Sequence, residues 1–302
     1  MGRFLGIDTS CYTTSVSLIE DNKIIIDKRI MLPVPEGSCG LRQSDGVFWH
    51  IKNLDKLFCE IALDGKIDAV GVSNAPRNVD GSYMPVFLPG VTTARAIAST
   101  HNIPFYTFSH QQGHIRAAMY SADFLVEKDE EYLAFHLSGG TSELLYIKGG
   151  KIDIVGGTSD LPAGQLIDRV GVYLGLPFPC GKHLEQLAMR AAGEVKVKTS
   201  VDGEYMNLSG IETKLTKQTI APDYEIAYAT LYGVGKSVEK VIINAKEKYK
   251  VDKVLIMGGV AANKQLRDII GDKAYFGSGD LSRDNSVGIA LLAQDMHLGQ
   301  EV

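Results

Sequence analysis

Two histidines four residues apart, His110 and His114 in the run His110-Gln111-Gln112-Gly113-His114, carry the most legible chemistry in the chain. On a helix, residues i and i+4 share a face, so both imidazoles can reach one ion. Neutral imidazole ligates zinc, iron and similar metals. Two ligands leave such an ion short, so a further donor has to come from elsewhere. The spacing is also that of two ordinary helical histidines, because two-residue motifs often match by chance. The pair has the spacing of the metallopeptidase H-E-x-x-H, but Gln111 stands where that motif carries its glutamate base.

A second chemistry lies in four turns of small residues. Ser10-Cys11-Tyr12-Thr13 and Ser138-Gly139-Gly140-Thr141 read as hairpin turns. Gly156-Gly157-Thr158 reads as a turn after a strand, and Gly258-Gly259-Val260-Ala261-Ala262-Asn263 as a strand-to-helix junction. Without a Cβ, backbone N–H groups can approach phosphate oxygens, and a helix N-terminus adds an anion site. Each turn alone is weak, since hairpins use glycine for their own geometry.

The elements that position these residues come in two matching sets. Phe4-Leu5-Gly6-Ile7, Thr14–Ile19 and Lys23–Ile26 read as three strands, with Asp21-Asn22 as a tight turn. The 128-residue offset that takes Lys23 to Lys151 also takes Ser10 to Ser138 and Thr13-Thr14 to Thr141-Ser142, without a gap. Later, Asp68–Val72 echoes Asp252–Ile256, each a short apolar strand followed by a helical stretch, near Val91–His101 and Ala262–Ile270. Such self-similarity predicts two lobes of one topology. The second lobe carries extra sequence: helices over Leu161–Leu174 and Gly181–Ala192, a polar loop over Lys196–Glu204, and a long helix over Tyr224–Lys248. Thr107-Phe108-Ser109 reads as a turn before the histidines, and Pro33–Asp45 as a flexible loop.

Composition sets the outer bounds. The chain has 302 residues, 45% hydrophobic and 22% charged, which is ordinary for globular proteins and sufficient for about two domains of ~150 residues. No apolar run approaches the ~18 residues of a membrane span, and no signal peptide opens the sequence, so a cytoplasmic protein without membrane contact is expected. The four cysteines, Cys11, Cys39, Cys59 and Cys180, form no C-x-x-C pair and suit a reduced compartment. Cys11 and Cys59 read as small buried hydrophobes. A net charge of −5 offers no global field for nucleic acid, which would need a local patch or a partner protein.

The motifs form an ordered series: Gly6-Ile7-Asp8-Thr9-Ser10-Cys11, His110-Gln111-Gln112-Gly113-His114-Ile115, Ser138-Gly139-Gly140, Asp160, Ala163-Gly164 with Asp168, Leu174-Gly175-Leu176-Pro177, Leu208-Ser209-Gly210, Gly258–Asn263, and Asp284-Asn285. This series resembles the TsaD (Gcp) family, the tRNA N6-adenosine threonylcarbamoyltransferase subunit formerly labelled an O-sialoglycoprotein endopeptidase, within the actin/hexokinase/Hsp70 (ASKHA) superfamily. The resemblance implies an α/β fold of two duplicated lobes, residues 1–129 with 286–302 packing back onto them, and 130–285 with a helical insertion. It implies a nucleotide and metal cleft between the lobes. One divalent ion (Fe, Zn or Mg) would sit on His110, His114 and Asp284. ATP or an adenylate would lie with its phosphates near Ser138, Gly139 and Gly140, its ribose on Asp168, and its adenosine along Gly164, Gly259 and Asn263. The reaction implied is transfer of a threonylcarbamoyl group to the N6 amine of a tRNA adenosine, the tRNA arriving through partner proteins of that pathway.

The departures from the family pattern cluster at the same place. Tyr12 and Thr13 replace two acidic residues, Thr141 replaces a histidine, Leu161 follows Asp160 where the family has a second aspartate, Gln165 replaces a glutamate, and Cys180 stands in a glycine pair. They point to a divergent paralogue, with three readings: a metal- and nucleotide-dependent transferase, a non-catalytic nucleotide-binding scaffold or regulator, and a metalloendopeptidase.

Overall fold

The structure, a computed structural model, describes residues 2–10, 12–33, 41–61, 63–79, 81–127 and 129–300. It divides into two compact units, Met1–Tyr120 with Arg283–Val302, and Ser121–Ser282.

The first unit is built on β1 (Arg3–Asp8), β2 (Thr13–Glu20), β3 (Lys23–Met31), α1 (Gln43–Glu60), β4 (Ala69–Ala75), α2 (Leu88–His101), β5 (Phe105–Ser109) and α3 (His110–Ser121). Its sheet runs β3-β2-β1-β4-β5, with the β1–β2–β3 meander antiparallel and β4 and β5 added in parallel. The β2–β3 turn needs left-handed backbone at both central residues, and Asp21 (φ 46°) and Asn22 (φ 63°) supply it. Alternation sorts the faces. Leu5, Ile7, Val16, Leu18, Val70 and Val72 pack with Leu54 and Leu57 of α1 and Ala94 and Ala98 of α2.

The second unit contains β6 (Tyr132–Leu137), β7 (Ser142–Lys148), β8 (Lys151–Thr158), α4 (Ala163–Tyr173), α5 (Gly181–Ala188), β9 (Ser200–Asp202), β10 (Tyr205–Asn207), α6 (Ser209–Thr213), α7 (Asp223–Tyr249), β11 (Val254–Met257), α8 (Lys264–Ile270) and β12 (Tyr275–Phe276). Its sheet runs β12-β11-β6-β7-β8-β10-β9. Read from β8 to β12 it repeats the first sheet strand for strand: an antiparallel meander, then two parallel additions. The duplication read from the sequence is therefore the architecture. Helix α7 is buried along most of its length against this core.

Several local expectations differ from the structure. Thr107-Phe108-Ser109 is the end of β5 rather than a turn. The polar run Lys196–Glu204 includes β9, paired with β10 around Gly203 (φ 55°); three residues are too few to show alternation. Helix α5 stops at Ala188, not Ala192, and the chain beyond is captured by the Glu225 carboxylate, which accepts the N–H groups of Ala192 (2.7 Å) and Glu194 (2.8 Å). Residues 34–40 of the loop expected over Pro33–Asp45 lie outside the described residues, as does Cys11; Cys59 is exposed on α1 rather than buried. Among the described residues, no helix is long and apolar enough to cross a membrane.

The last helix, α9 (Val287–His297), returns to the first unit and lies on the sheet face opposite α1 and α2. It approaches closely because the strands beneath it are bare. A Cβ at Gly6 would meet the Ser286 carbonyl oxygen at 2.5 Å, and one at Gly71 the Ile289 carbonyl oxygen at 2.8 Å. Helix α3 crosses α9 just as tightly: a Cβ at Gly288 would lie 1.8 Å from the Gly113 carbonyl oxygen.

Candidate functional site

Helix α3 begins at His110 for a local reason. Ser109 and Gln112 form a reciprocal cap: the Ser109 N–H donates to Gln112 Oε1 (2.8 Å), and the Gln112 N–H donates to Ser109 Oγ (3.2 Å). This places His110 in the first turn and His114 one turn on, both facing the sheet's carboxyl edge. Asp284 arrives from the segment before α9. That segment is fastened to β2: the Ser286 N–H donates to Ser15 Oγ (2.9 Å), and Ser286 Oγ stands 2.9 Å from Ser15 Oγ and 2.6 Å from Ser17 Oγ. Asn285 Oδ1 accepts the Val287 N–H at 3.0 Å and closes the turn into the helix.

The result is three donor atoms at one point. His110 Nε2 and His114 Nε2 are 2.8 Å apart, and Asp284 Oδ1 lies 3.5 Å from the first and 3.3 Å from the second. Adjacent ligands of an ion with bonds of about 2.1 Å stand roughly 3.0–3.4 Å apart; the 3.3 Å edge falls within that range, and the 2.8 and 3.5 Å edges lie just outside it, so small shifts of the side chains would seat one metal. Two imidazoles and a carboxylate suit zinc or iron better than magnesium, which favours oxygen ligands. Among the described residues this is the set of metal-ligating side chains that converges.

Behind the triangle, Asp8 at the end of β1 is 1% exposed, and its Oδ2 accepts from His110 Nδ1 at 2.7 Å. Ser10 Oγ stands 2.8 Å from the same nitrogen. Burial works against charge on His110, but the Asp8 and Asp284 carboxylates outweigh it and hold the ring well above its ordinary value. Burial lowers His114, and the neighbouring His110 cation lowers it further. Asp284 is held far below the usual carboxylate range: burial opposes this, and hydrogen bonds from both imidazoles prevail. Asp8 belongs to the Gly6–Cys11 motif, but nothing in the sequence marks its contact with His110. The available signal was an acidic residue ending the strand that leads into the first hairpin turn.

The residues expected to bind nucleotide lie in the second unit. Ser138-Gly139-Gly140-Thr141 is a closed turn: the Ser138 N–H donates to the Thr141 carbonyl (2.8 Å), and the Thr141 N–H to Ser138 Oγ (3.0 Å). Nothing lies within 4 Å of a Cβ built at Gly139 or Gly140, so the outer face of the turn is open. Gly164 belongs against it, because a Cβ there would meet the Ser138 carbonyl oxygen at 2.5 Å and the Gly139 Cα at 2.6 Å. Gly258 (φ 99°) lets the end of β11 pass the Leu137 carbonyl, and Gly259 beside it faces open space. Asp168 is turned to a local task, with Oδ1 accepting the Cys180 N–H at 2.8 Å. Asn263 caps α8 by accepting the Leu266 N–H at 3.0 Å. Glu185, which the sequence did not single out, accepts the Lys264 N–H at 2.6 Å and ties α5 to the same helix start.

Two expected site features are structural. Gly156 and Gly157 do not form a phosphate turn. They lie inside β8, where Cβ atoms would meet the Glu204 carbonyl at 2.4 Å and the Ser142 carbonyl at 2.1 Å, so the crowding of neighbouring strands explains them. Asp160 holds the Leu208-Ser209 motif, accepting the Leu208 N–H (2.8 Å) and the Ser209 hydroxyl (2.5 Å).

Comparison with known proteins bears on the family and the fold. The profile of the family described as "TsaD: tRNA N6-adenosine threonylcarbamoyltransferase" matches residues 50–291. A tRNA N6-adenosine threonylcarbamoyltransferase of Geobacillus thermodenitrificans is 30% identical over 294 residues, covering 89% of this chain and 82% of the relative. One from Thermus thermophilus is 30% identical, covering 97% and 92%. Among solved structures, full-length HypF in its phosphate- and nucleotide-bound form superposes on the whole chain with a TM-score of 0.63 at 13% identity, over 47% of its own length. A ROK hexokinase from Thermus thermophilus reaches 0.57 at 12% identity, over 97% of this chain and 98% of its own. At those identities the two structures speak to the fold alone, which is of the ASKHA type. On its sequence, the chain belongs to the TsaD family of tRNA N6-adenosine threonylcarbamoyltransferases.

Proposed function

We propose that this protein holds one divalent metal ion on His110, His114 and Asp284, binds ATP or an adenylate on Ser138, Gly139, Gly140, Gly164, Asp168, Gly259 and Asn263, and transfers a threonylcarbamoyl-type group to an adenosine of tRNA. The observation that carries the reading is the donor triangle of 2.8, 3.3 and 3.5 Å. Bound there, an ion would act as a Lewis acid toward a phosphate or acyl oxygen. The chain's own residues supply the rest. The open face of the Ser138–Thr141 turn offers backbone N–H groups to an anion. With a net charge of −5, tRNA is expected to reach the protein through partner proteins.

The test is reconstitution: the purified chain with partner proteins of the pathway, tRNA, ATP, threonine and bicarbonate, reading modified adenosine, alongside metal analysis and nucleotide calorimetry. Product formed by the wild type and lost in His110→Ala/His114→Ala supports the transferase. A second reading, a nucleotide-binding scaffold, is favoured by the residues at the hairpin turns, where Tyr12 is 42% exposed and Thr141 carries no acid–base group. Stoichiometric metal and nucleotide without product in any turnover would select it.

A further inference from the structure

We infer that Asp8 is a positioning residue for the metal site: it sets which nitrogen of His110 carries the proton, and so which one ligates. The inference rests on the ion reading above and concerns the ring behind the ion. The Asp8 carboxylate is buried, and its acceptor sites are filled from three directions. Oδ1 accepts the Ser10 N–H (2.7 Å) and the Ser73 hydroxyl (2.7 Å), while Oδ2 faces His110 Nδ1 (2.7 Å). With both oxygens fixed, the carboxylate accepts and His110 Nδ1 donates. Nδ1 therefore keeps its proton when the ring gives one up to an ion, and Nε2, which faces His114 Nε2 (2.8 Å) and Asp284 Oδ1 (3.5 Å), is the nitrogen left to ligate. Ser10 Oγ lies 2.8 Å from Nδ1 and 3.5 Å from Nε2, closer to the nitrogen that Asp8 holds. A carboxylate behind a ligating imidazole fixes its tautomer and orientation and raises its basicity, and loss of such a partner commonly weakens metal binding on the order of 10–100-fold.

A merely structural role for Asp8, tying the end of β1 to β4 and the following turn, predicts no such effect on the ring. The two are separated by using the full chain with Zn²⁺ as the probe. In the ¹⁵N-histidine-labelled wild type loaded with Zn²⁺, long-range ¹H–¹⁵N spectra should show His110 protonated at Nδ1 and metal-shifted at Nε2. Protonation at Nε2, or ligation through Nδ1, overturns the inference without need of any variant. In chelator competition, Asp8→Asn keeps the shape but offers Nδ1 an amide, and should bind Zn²⁺ 10–100-fold more weakly. Ser73→Ala keeps the carboxylate and should stay within a few-fold of wild type. Loss of binding in His114→Ala with wild-type affinity in Asp8→Asn overturns this inference and leaves the ion reading standing. Equal Zn²⁺ binding by wild type and His114→Ala overturns both.

Discussion

Replacing Gly288 by alanine should uncouple the three proposed metal ligands from one another. The added Cβ would lie 1.8 Å from the Gly113 carbonyl oxygen and 2.9 Å from the Ala117 nitrogen, both backbone atoms of α3. Real Cβ contacts are essentially never shorter than 3.0 Å, so α3 and α9 must separate by about 1.2 Å. Helix α9 cannot retreat, because its other side already rests on Gly6 and Gly71 with no room for a side chain. The movement falls on α3, which carries His110 and His114, while Asp284 stays with α9. Metal sites tolerate departures of roughly 0.2 Å from ideal bond lengths, so a shift several times larger breaks the triangle. Overpacking a backbone crossing of this kind costs about 3 kcal/mol. At roughly 2–4 °C per kcal/mol, that lowers Tm by about 6–12 °C. Chelator competition should show Zn²⁺ affinity reduced at least tenfold, and calorimetry the lower Tm. Gly210→Ala, where nothing lies within 4 Å of the new Cβ, is the control and should leave both unchanged. A Gly288→Ala protein with wild-type Tm and wild-type affinity would refute the geometry of the α3–α9 crossing as the determinant of the site.

Further outcomes follow from the same structure. His110→Ala/His114→Ala should purify without stoichiometric metal; unchanged content by elemental analysis would remove the triangle as the site. Gly140→Val places a branched side chain on the open face of the hairpin turn and should weaken ATP binding by about 2–3 kcal/mol, the scale of a charge-assisted contact, with the fold intact because the position is free; equal calorimetric affinity would contradict it. Wild-type turnover on tRNA should trail a standard family member by a hundredfold or more, since each missing acid–base group costs about that factor, and Tyr12→Asp with Thr141→His should raise it; parity in the reconstituted reaction would dismiss the argument from the missing groups. Asp160 gives a pH signature. Burial tends to raise its carboxyl, but the Ser209 hydroxyl and the backbone N–H groups it accepts hold it below its usual 3.8. A depressed carboxyl stabilises the fold above the unfolded value and loses that stabilisation as pH falls further. Asp160→Asn should therefore show a shallower decline of Tm than wild type below about pH 4, and identical acid limbs would count against it.

Much of this was legible because it was local. The hairpins repeat at a fixed offset, their strands alternate, and His110 and His114 stand one helical turn apart. The rest required tertiary neighbours. Nothing beside Asp284 marks it as a candidate ligand; resemblance singles it out, and Ser15 and Ser17, far back in the chain, are what hold its segment. Asp8 was visible only as a motif letter, because its role depends on a histidine 102 positions away. Gly156-Gly157 and Gly139-Gly140 look alike in sequence, yet strand crowding demands the first pair and the second faces open space. Small apolar residues are usually buried, yet Cys59 lies on the solvent side of α1.

The return of α9 to the first unit has a consequence for how the chain assembles during synthesis. The first unit is discontinuous, its two parts separated by the whole of Ser121–Ser282, so its sheet face and its Asp284 wait until the chain beyond Ser282 has emerged. Closing a flexible loop of that length would cost on the order of 4–5 kcal/mol in chain entropy. The intervening segment is itself a contiguous unit, and the Ser278 N–H donates to Ser121 Oγ at 2.9 Å, so once folded it holds its own two ends together. Folding of that unit first would convert a long-range search into a short one, and α9 would then reach its glycine-lined seat as a local event.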